Sequence, residues 1–159
     1  MKSGLHQIYL LLGSNIDPVS NLREALKILR GSCMVKAASN AWENYAFGSP
    51  GPNFINIAVL IETDLSLQDL KASILNPIES SLGRIRTKDK NSPRTIDVDV
   101  IIFDGRILDQ NIWERLHLAL PVSELLPDLI DPTTHLTLQD VAKSLQQKYW
   151  SRLRPEVKS

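Results

Sequence analysis

The stretch from Gly83 to Phe103, GRIRTKDKNSPRTIDVDVIIF, decides the fold because it joins a basic run to an apolar strand. Alternate residues of a strand point to the same face of a sheet. Asp97 and Asp99 are therefore expected on one face, together with Ile101 and Phe103. The opposite face carries the apolar residues that can pack into a core, namely Ile96, Val98, Val100 and Ile102.

The two carboxylates of this strand predict a site for a metal ion and phosphates. Asp97 and Asp99 lie about 7 Å apart on one face, where like charges repel each other. Mg²⁺ relieves that repulsion and prefers one or two carboxylates with phosphate oxygens and water. Arg84, Arg86 and Arg94 come just before the strand, and guanidinium groups match phosphate geometry. The alternative is an exposed strand end whose charges are simply solvated.

Composition excludes several classes of protein. Lys plus Arg and Asp plus Glu both number 18 among the 159 residues, so the net charge is zero. A general nucleic-acid binder is usually basic overall, so we expect no nucleic-acid partner. The single cysteine excludes an internal disulfide framework, and no apolar run approaches the length of a membrane helix. We expect a cytoplasmic protein without a membrane contact, because the N-terminus also lacks a signal-peptide core.

The periodicity of apolar residues predicts the order strand, helix, strand, strand, helix, strand. The predicted strands are 7–12, 34–42, 54–62 and 96–103, and the predicted helices are 17–31 and 66–82. This order is that of the ferredoxin-like βαββαβ fold, an α+β architecture in which an antiparallel sheet carries helices on one face.

Local signals refine these elements. Asp17 is expected to cap the first helix and Gly31 to end it. Pro77 should kink or interrupt the second helix. Asp104-Gly105 is a hairpin turn signal, whereas residues 116–120 are compatible with either a strand or a helix.

Asn56 is a polar residue inside an apolar strand. Its amide can donate and accept hydrogen bonds, so it suits the edge of a heterocycle, although a bond to nearby backbone is equally compatible. The preceding loop, residues 43–53, is long for a connection between strands, which favours a functional or mobile segment.

Four segments spread over residues 7–131 form a specific pattern. They are Leu12-Gly13-Ser14-Asn15, Phe54-Ile55-Asn56, Glu79 with Gly83-Arg84-Ile85-Arg86, and Pro93-Arg94-Thr95-Ile96-Asp97-Val98-Asp99. Together they resemble the hydroxymethyl-dihydropterin pyrophosphokinase family of folate biosynthesis. That family moves the β,γ-pyrophosphoryl group of ATP to a pterin alcohol and releases AMP. The resemblance implies one pyrophosphokinase-like domain over residues 1–159, with residues 132–159 forming a C-terminal helix and a loose tail.

The resemblance also implies a role for each matching residue. Asp97 and Asp99 would hold two Mg²⁺ ions, and Arg84 and Arg94 would join them as the catalytic set. The residues implied to contact ATP are Glu79, Arg84, Arg86, Arg94, Val100 through its backbone, and Arg115. The residues implied to contact the pterin are Asn44, Tyr45, Phe47, Phe54, Asn56 and His117, with Phe54 and His117 stacking on the ring. The implied partners are ATP and a pterin, bound by a monomer or a weak homo-oligomer.

The chain departs from the family in ways that leave alternatives open. It contains no Pro-His pair in the connection from Phe103 to Arg115, and that connection is short. The family's Thr-Pro-Pro-Leu loop reads Asn-Tyr-Ala-Phe at residues 44–47. One alternative is therefore a divergent paralogue that binds ATP and Mg²⁺ but uses another pterin-like acceptor or has lost transfer. Another is an RNA-binding or regulatory module with the same fold.

Overall fold

The computed structural model describes residues 4–46, 51–83 and 95–158. The strands are β1 (His6–Ser14), β2 (Met34–Ala38), β3 (Trp42–Asn44), β4 (Phe54–Thr63), β5 (Asp97–Phe103), β6 (Arg106–Ile107) and β7 (Ser151–Leu153). The helices are α1 (Pro18–Ser32), α2 (Leu67–Leu70), α3 (Asn76–Ser81), α4 (Leu116–Leu125) and α5 (Leu138–Lys148). A π-helical turn spans Lys71–Leu75, and 3₁₀ turns span Gln110–Trp113 and Pro155–Val157.

The strands of the described residues form one antiparallel sheet in the order β6-β5-β1-β4-β3-β7, and β2 also pairs with β4. The central order β5-β1-β4-β2, with α1 and the α2–α3 segment as crossovers, is the predicted ferredoxin-like arrangement. The predicted strand 34–42 is divided into β2 and β3. At the division the Ser39 backbone N–H donates to the Ala58 carbonyl at 2.8 Å, and the Ala58 N–H donates to Ser39 Oγ at 2.9 Å.

Helices α1, α2 and α3 pack on one face of the sheet and enclose the first core. Strand alternation supplies this core, because residues i and i+2 point the same way. Its largest fully buried members are Ile8, Leu10, Leu12, Leu22, Leu26, Leu29, Ile55, Ile57, Ile61, Leu70, Leu75 and Ile78.

Helices α4 and α5 cover the opposite face and enclose a second core. Leu11, Ala58 and Ile101 point into it from three adjacent strands. The helices contribute Leu118, Ala119, Val122, Leu138, Val141, Ala142 and Leu145. The predicted C-terminal extension therefore covers the second face of the sheet. Residues 116–120, which the sequence left undecided, are helical despite Pro121 inside α4.

The predicted alternation along β5 holds through Ile101 and is wrong at Ile102 and Phe103. The pairing with β1 shifts register between Tyr9 and Leu10, so that Tyr9 faces Ile102 while Leu10 faces Val100. This β-bulge inserts one extra residue into β5 and reverses the faces that follow. Ile102 accordingly packs in the second core, and Phe103 packs against the first.

The ends of the helices differ from the predictions in detail. Asp17 has φ 42° and makes no side-chain capping bond; its carbonyl accepts from Asn21 N at 3.0 Å instead. Helix α1 also runs through Gly31 to Ser32.

The predicted interruption near Pro77 is confirmed, since the π-helical turn Lys71–Leu75 comes immediately before α3. Proline has no N–H to donate, and a wider turn accommodates that loss.

The prediction of a loose C-terminal tail is wrong, because much of that segment is bound to the sheet. Strand β7 pairs with β3, and Val157 is buried against α1. Arg154 Nη1 lies 2.6 Å from Glu43 Oε1.

No helix in residues 4–46, 51–83 and 95–158 has both the length and the apolar character needed to cross a membrane.

Gly13 lies in the central strand β1, opposite Asn56 on one side and Asp97 on the other. A Cβ built at Gly13 would lie 2.5 Å from Asn56 Oδ1. The side chain of Asn56 also donates to Asn44 Oδ1 at 3.1 Å. A methyl group at residue 13 must therefore displace Asn56 and break that bond.

We expect Gly13→Ala to lower the free energy of unfolding by about 1–3 kcal/mol, because the added group overpacks a buried position. The measurement is urea unfolding at neutral pH. The control is Gly31→Ala in α1, where a Cβ meets nothing within 4 Å. Alanine there should be neutral or stabilising, since glycine disfavours helix interiors. Equal stabilities for Gly13→Ala and the parent would contradict the steric argument.

Candidate active site

Asp97 and Asp99 lie on β5 opposite Gly13 and Leu11 of β1. Leu11 packs in the second core, so the two aspartates share the sheet face that α4 partly covers. Asp97 is half-buried and Asp99 is exposed. Strand alternation therefore places two carboxylates side by side at the edge of the α4 layer, as the sequence predicts.

Glu79 fixes the backbone between the two aspartates. It lies on α3, is only 5% exposed, and its Oε2 accepts from Val98 N at 2.9 Å. The charge of a buried carboxylate strengthens such a hydrogen bond. Glu79 thus connects α3 to the carboxylate strand from the first core.

The donor set at Asp97 and Asp99 fits Mg²⁺ with phosphate oxygens and water. Two carboxylates and open coordination positions are typical of nucleotide-bound Mg²⁺. No group of three or more His, Cys, Asp and Glu side chains suited to holding a metal occurs in residues 4–46, 51–83 and 95–158.

One row of residues crosses the sheet beside the carboxylates: Asn56 on β4, Gly13 on β1 and Asp97 on β5. Adjacent strands lie about 4.8 Å apart, so the backbones of Asn56 and Asp97 are about 10 Å apart. Gly13 brings no side chain between them. The Asn56 amide lies over Gly13, with its Oδ1 2.5 Å from the place of a Gly13 Cβ, so the row sets an amide on one side of β1 and a carboxylate on the other.

Asn56 is linked to the loop that follows β3. Its Nδ2 donates to Asn44 Oδ1 at 3.1 Å, and Asn44 Nδ2 donates to the Tyr45 carbonyl at 3.0 Å. Phe54 lies directly opposite Asn44 in the β3–β4 pairing. The structure shows the Asn56 amide bonded to a side chain and not to nearby backbone, which was one of the two expectations, and its contact with a heterocycle stays a prediction.

A cavity of about 240 Å³ opens beside this amide pair. Its lining comes from three parts of the chain: the loop after β3, the start of α4 and the segment before β7. The lining residues are Asn44, Tyr45, Ala46, Glu114, Arg115, Leu116, His117, Tyr149 and Trp150. The cavity thus brings together Asn44, Tyr45, Arg115 and His117, four of the residues singled out in the sequence.

His117 is the second residue of α4 and adjoins both the cavity and the carboxylate strand. Burial lowers its pKa from 6.5 to about 4, with Arg115 acting in the same direction. Asp109 and Asp97 oppose that shift, which places the Asp97 carboxylate within electrostatic reach of the ring. The imidazole is therefore neutral at physiological pH and offers an uncharged flat surface to the cavity.

Tyr149 and Trp150 are lining residues that sequence reasoning missed. The sequence feature that could have identified them is a pair of adjacent aromatic residues between the last helix and the expected tail. Trp150 stacks on Tyr45, with ring centroids 5.0 Å apart and an interplanar angle of 27°. No local pattern connects two residues so far apart in sequence.

The remaining predicted residues fall into two groups. The Val100 side chain is 9% exposed and packs in the first core, so its predicted backbone contact with adenine stays a prediction. The others lie outside the described residues: Phe47, Arg84, Arg86 and Arg94.

Comparison with known proteins identifies the family to which the chain is similar. Residues 9–127 match the family described as 7,8-dihydro-6-hydroxymethylpterin-pyrophosphokinase. A Synechocystis 2-amino-4-hydroxy-6-hydroxymethyldihydropteridine pyrophosphokinase is 35% identical over 138 residues, covering 80% of this chain and 70% of that protein. The corresponding Helicobacter pylori protein is 37% identical over 114 residues, covering 64% of this chain and 66% of its own.

Larger proteins contain a similar region. The folic acid synthesis protein FOL1 of Dictyostelium discoideum is 32% identical over 145 residues, which are 85% of this chain and 22% of that protein. A crystal structure of Plasmodium falciparum HPPK-DHPS superimposes with a TM-score of 0.69 at 10% identity, over 91% of this chain and 42% of that one. This chain thus spans less than half the length of those two proteins.

The structural likeness supports the fold, and the family match covers most of the sequence, including the carboxylate strand and the start of α4. The resemblance seen in the sequence motifs is therefore confirmed, and the chain belongs to the 7,8-dihydro-6-hydroxymethylpterin-pyrophosphokinase family.

Proposed function

We propose that this chain transfers the pyrophosphoryl group of ATP to 6-hydroxymethyl-7,8-dihydropterin and releases AMP, as a step of folate biosynthesis. The observation that carries the proposal is the row Asn56–Gly13–Asp97. At one end of the row Asn56 donates to Asn44, which lines the cavity of about 240 Å³, and at the other end Asp97 lies on the same sheet face as Asp99. Family membership supplies the reaction class.

The transfer makes one bond and breaks one. The acceptor hydroxyl oxygen attacks the β-phosphorus of ATP, and the bond from that phosphorus to the α,β-bridging oxygen breaks. AMP leaves with the bridging oxygen, and the hydroxyl proton passes to solvent. Reactions of this type depend on positioning and charge neutralisation more than on covalent help from the protein.

Asp97 and Asp99 would hold Mg²⁺, predicted as two ions, which neutralises phosphate charge when bound. Glu79 holds the Val98 backbone and so fixes the separation of the two carboxylates. The cavity residues Asn44 and His117 would orient the acceptor ring beside them. Arg84, Arg86 and Arg94 complete the proposal as phosphate ligands, although they lie outside the described residues.

The extent and setting of the domain are part of the same proposal. We infer one domain with a core at about residues 7–131 and a C-terminal segment that adds to the acceptor cavity. A cytoplasmic location and a monomeric or weakly associated state remain predictions.

The RNA-binding alternative is disfavoured, because α4 and α5 cover the sheet face opposite α1, and sheet-type RNA modules stack bases on an exposed face.

A divergent acceptor is the second candidate, and the composition of the cavity favours it. The cavity is lined by Tyr45 where the family's loop reads Thr-Pro-Pro-Leu, and by Trp150, to which the resemblance assigns no role. Such a protein would keep the nucleotide site while binding a pterin-like alcohol with a different outline.

AMP release separates the two candidates. We expect AMP to form from ATP and Mg²⁺ only when 6-hydroxymethyl-7,8-dihydropterin is added. Chromatography of the nucleotides gives the measurement, with 7,8-dihydropterin, which lacks the hydroxymethyl group, as the matched control. Absence of AMP while ATP–Mg²⁺ still binds would reject the leading candidate and favour the divergent acceptor.

We expect Asp97→Ala to weaken Mg²⁺-dependent ATP binding by more than about 100-fold, since loss of even an outer partner of a metal ligand lowers affinity about 10–100-fold. Isothermal titration calorimetry with and without Mg²⁺ measures the effect. Asp128→Ala, which removes an exposed carboxylate outside the site, is the matched control. Circular dichroism should show an intact fold, because Asp97→Ala removes one of two repelling charges. Unchanged ATP affinity would refute the metal assignment.

The lowered pKa of His117 predicts a pH-dependent stability in the metal-free protein. The unfolded chain binds a proton at His117 near pH 6.5, whereas the folded chain does so only near pH 4. The contribution of His117 to the free energy of unfolding is therefore fully present above about pH 6.5. It falls by roughly 3 kcal/mol as the pH is lowered to 4.

Urea unfolding between those two pH values, compared with His117→Phe, isolates this contribution. The substituted protein should lose less stability than the parent on acidification, since phenylalanine has no proton to bind. NMR titration of the His117 ring provides the direct measurement. Identical pH slopes, or a ring that titrates near its ordinary pKa, would contradict the prediction.

A further inference from the structure

The segment before β7 reaches the acceptor cavity from the far end of the chain. Strand β7 pairs with β3, with Ser151 opposite Asn44 and Arg152 opposite Glu43. This register places Trp150, the residue just before β7, beside Tyr45, the residue just after β3. A segment over a hundred residues distant in sequence thus becomes a neighbour of the cavity.

Trp150 and Tyr45 present aromatic surface at the cavity without burying it. Their rings are stacked, yet Trp150 is 38% exposed and Tyr45 is 62% exposed. Both residues line the cavity. Exposed large aromatic surface beside a concave site is typical of a ligand-binding wall more than of a core.

Glu43 connects the loop after β3 to the segment around β7. Glu43 Oε1 lies 2.6 Å from Arg154 Nη1, and Asn53 Nδ2 donates to Glu43 Oε2 at 2.9 Å. One carboxylate therefore connects the start of the loop, its return at Asn53 and the end of β7. Arg154 N also donates to the Ala41 carbonyl at 2.9 Å, so the segment is fixed on both sides of the pairing.

The residue types directly after β3 do not fix the backbone there. Neither Tyr45 nor Ala46 restricts the backbone as proline does. The stacking of Trp150 on Tyr45 and the Glu43 contacts supply order that the local sequence does not. A site ordered in advance binds its ligand more tightly, since less entropy is lost on binding.

We propose that Trp150 is a positioning residue of the acceptor site, which orders Tyr45 and closes one side of the cavity against a flat, uncharged bicyclic heteroaromatic ring. The inference rests on the proposed function and deepens it. The ATP phosphates lie at the carboxylate strand in that scheme, so Trp150 acts on acceptor binding and leaves nucleotide binding unchanged.

The test compares Trp150→Ala and Trp150→Phe with the parent protein. Calorimetry measures Kd for 6-hydroxymethyl-7,8-dihydropterin and, separately, for ATP–Mg²⁺, and AMP release gives KM and kcat. Leu153→Ala is the matched control, because Leu153 lies on β7, is 42% exposed and does not line the cavity. Circular dichroism confirms that each variant is folded.

Trp150→Ala should raise the acceptor Kd and KM roughly tenfold, the size of one lost aromatic contact with a ring. The ATP–Mg²⁺ Kd and kcat should change less than about twofold in the same variant, since aromatic contacts act locally. Trp150→Phe should restore most of the acceptor affinity, and Leu153→Ala should match the parent.

Two results would overturn the inference while leaving the proposed function standing. One is a parent-like acceptor Kd in Trp150→Ala. The other is an equal loss of acceptor and ATP affinity that Trp150→Phe does not restore, which would assign Trp150 to folding alone. A parent protein that binds ATP–Mg²⁺ but neither binds the pterin nor forms AMP would overturn both together.

Discussion

The site depends on the missing side chain at Gly13. Strand β1 is hydrogen-bonded on both sides, so its residues form the floor between β4 and β5. Any side chain at residue 13 would enter the space between Asn56 and Asp97, which the Asn56 amide now occupies. Glycine weakens a strand, but here it permits close packing of an amide against backbone. Asn56 and Asp97 are therefore separated by a single strand whose residue between them has no side chain.

The charges of the site are arranged from both layers of the molecule. Glu79 reaches the carboxylate strand from the first core and satisfies the Val98 N–H. His117 approaches from α4 on the other side, and burial keeps its ring uncharged. The Asp97 and Asp99 carboxylates thus lie beside an uncharged His117 ring, while Glu114 and Arg115 bring one acidic and one basic side chain to the cavity lining. An uncharged ring next to paired carboxylates suits a reaction in which one substrate is highly charged and the other is a neutral ring.

The sequence predicted those parts of the structure that local periodicity determines. Alternation in 54–62 identified the two faces of β4, and the Asp-x-Asp spacing placed both carboxylates on one face. It could not predict the bulge at Tyr9 and Leu10, because register depends on a partner strand about ninety residues away. The stacking of Trp150 on Tyr45 was inaccessible for the same reason. Helix α4 was ambiguous because a short, almost wholly apolar segment fits either a buried strand or a buried helix.

The covered second face explains how a common fold becomes a specific site. A ferredoxin-like sheet with helices on one side leaves a flat surface that would serve many ligands. Here α4 and α5 pack on that surface, and a cavity opens at its end near Asn44. Strand β7 then adds a wall at that opening through its pairing with β3. The cavity is therefore lined by the C-terminal third of the chain together with the end of β3 and the two residues that follow it, whereas the carboxylate pair belongs to the βαββαβ core.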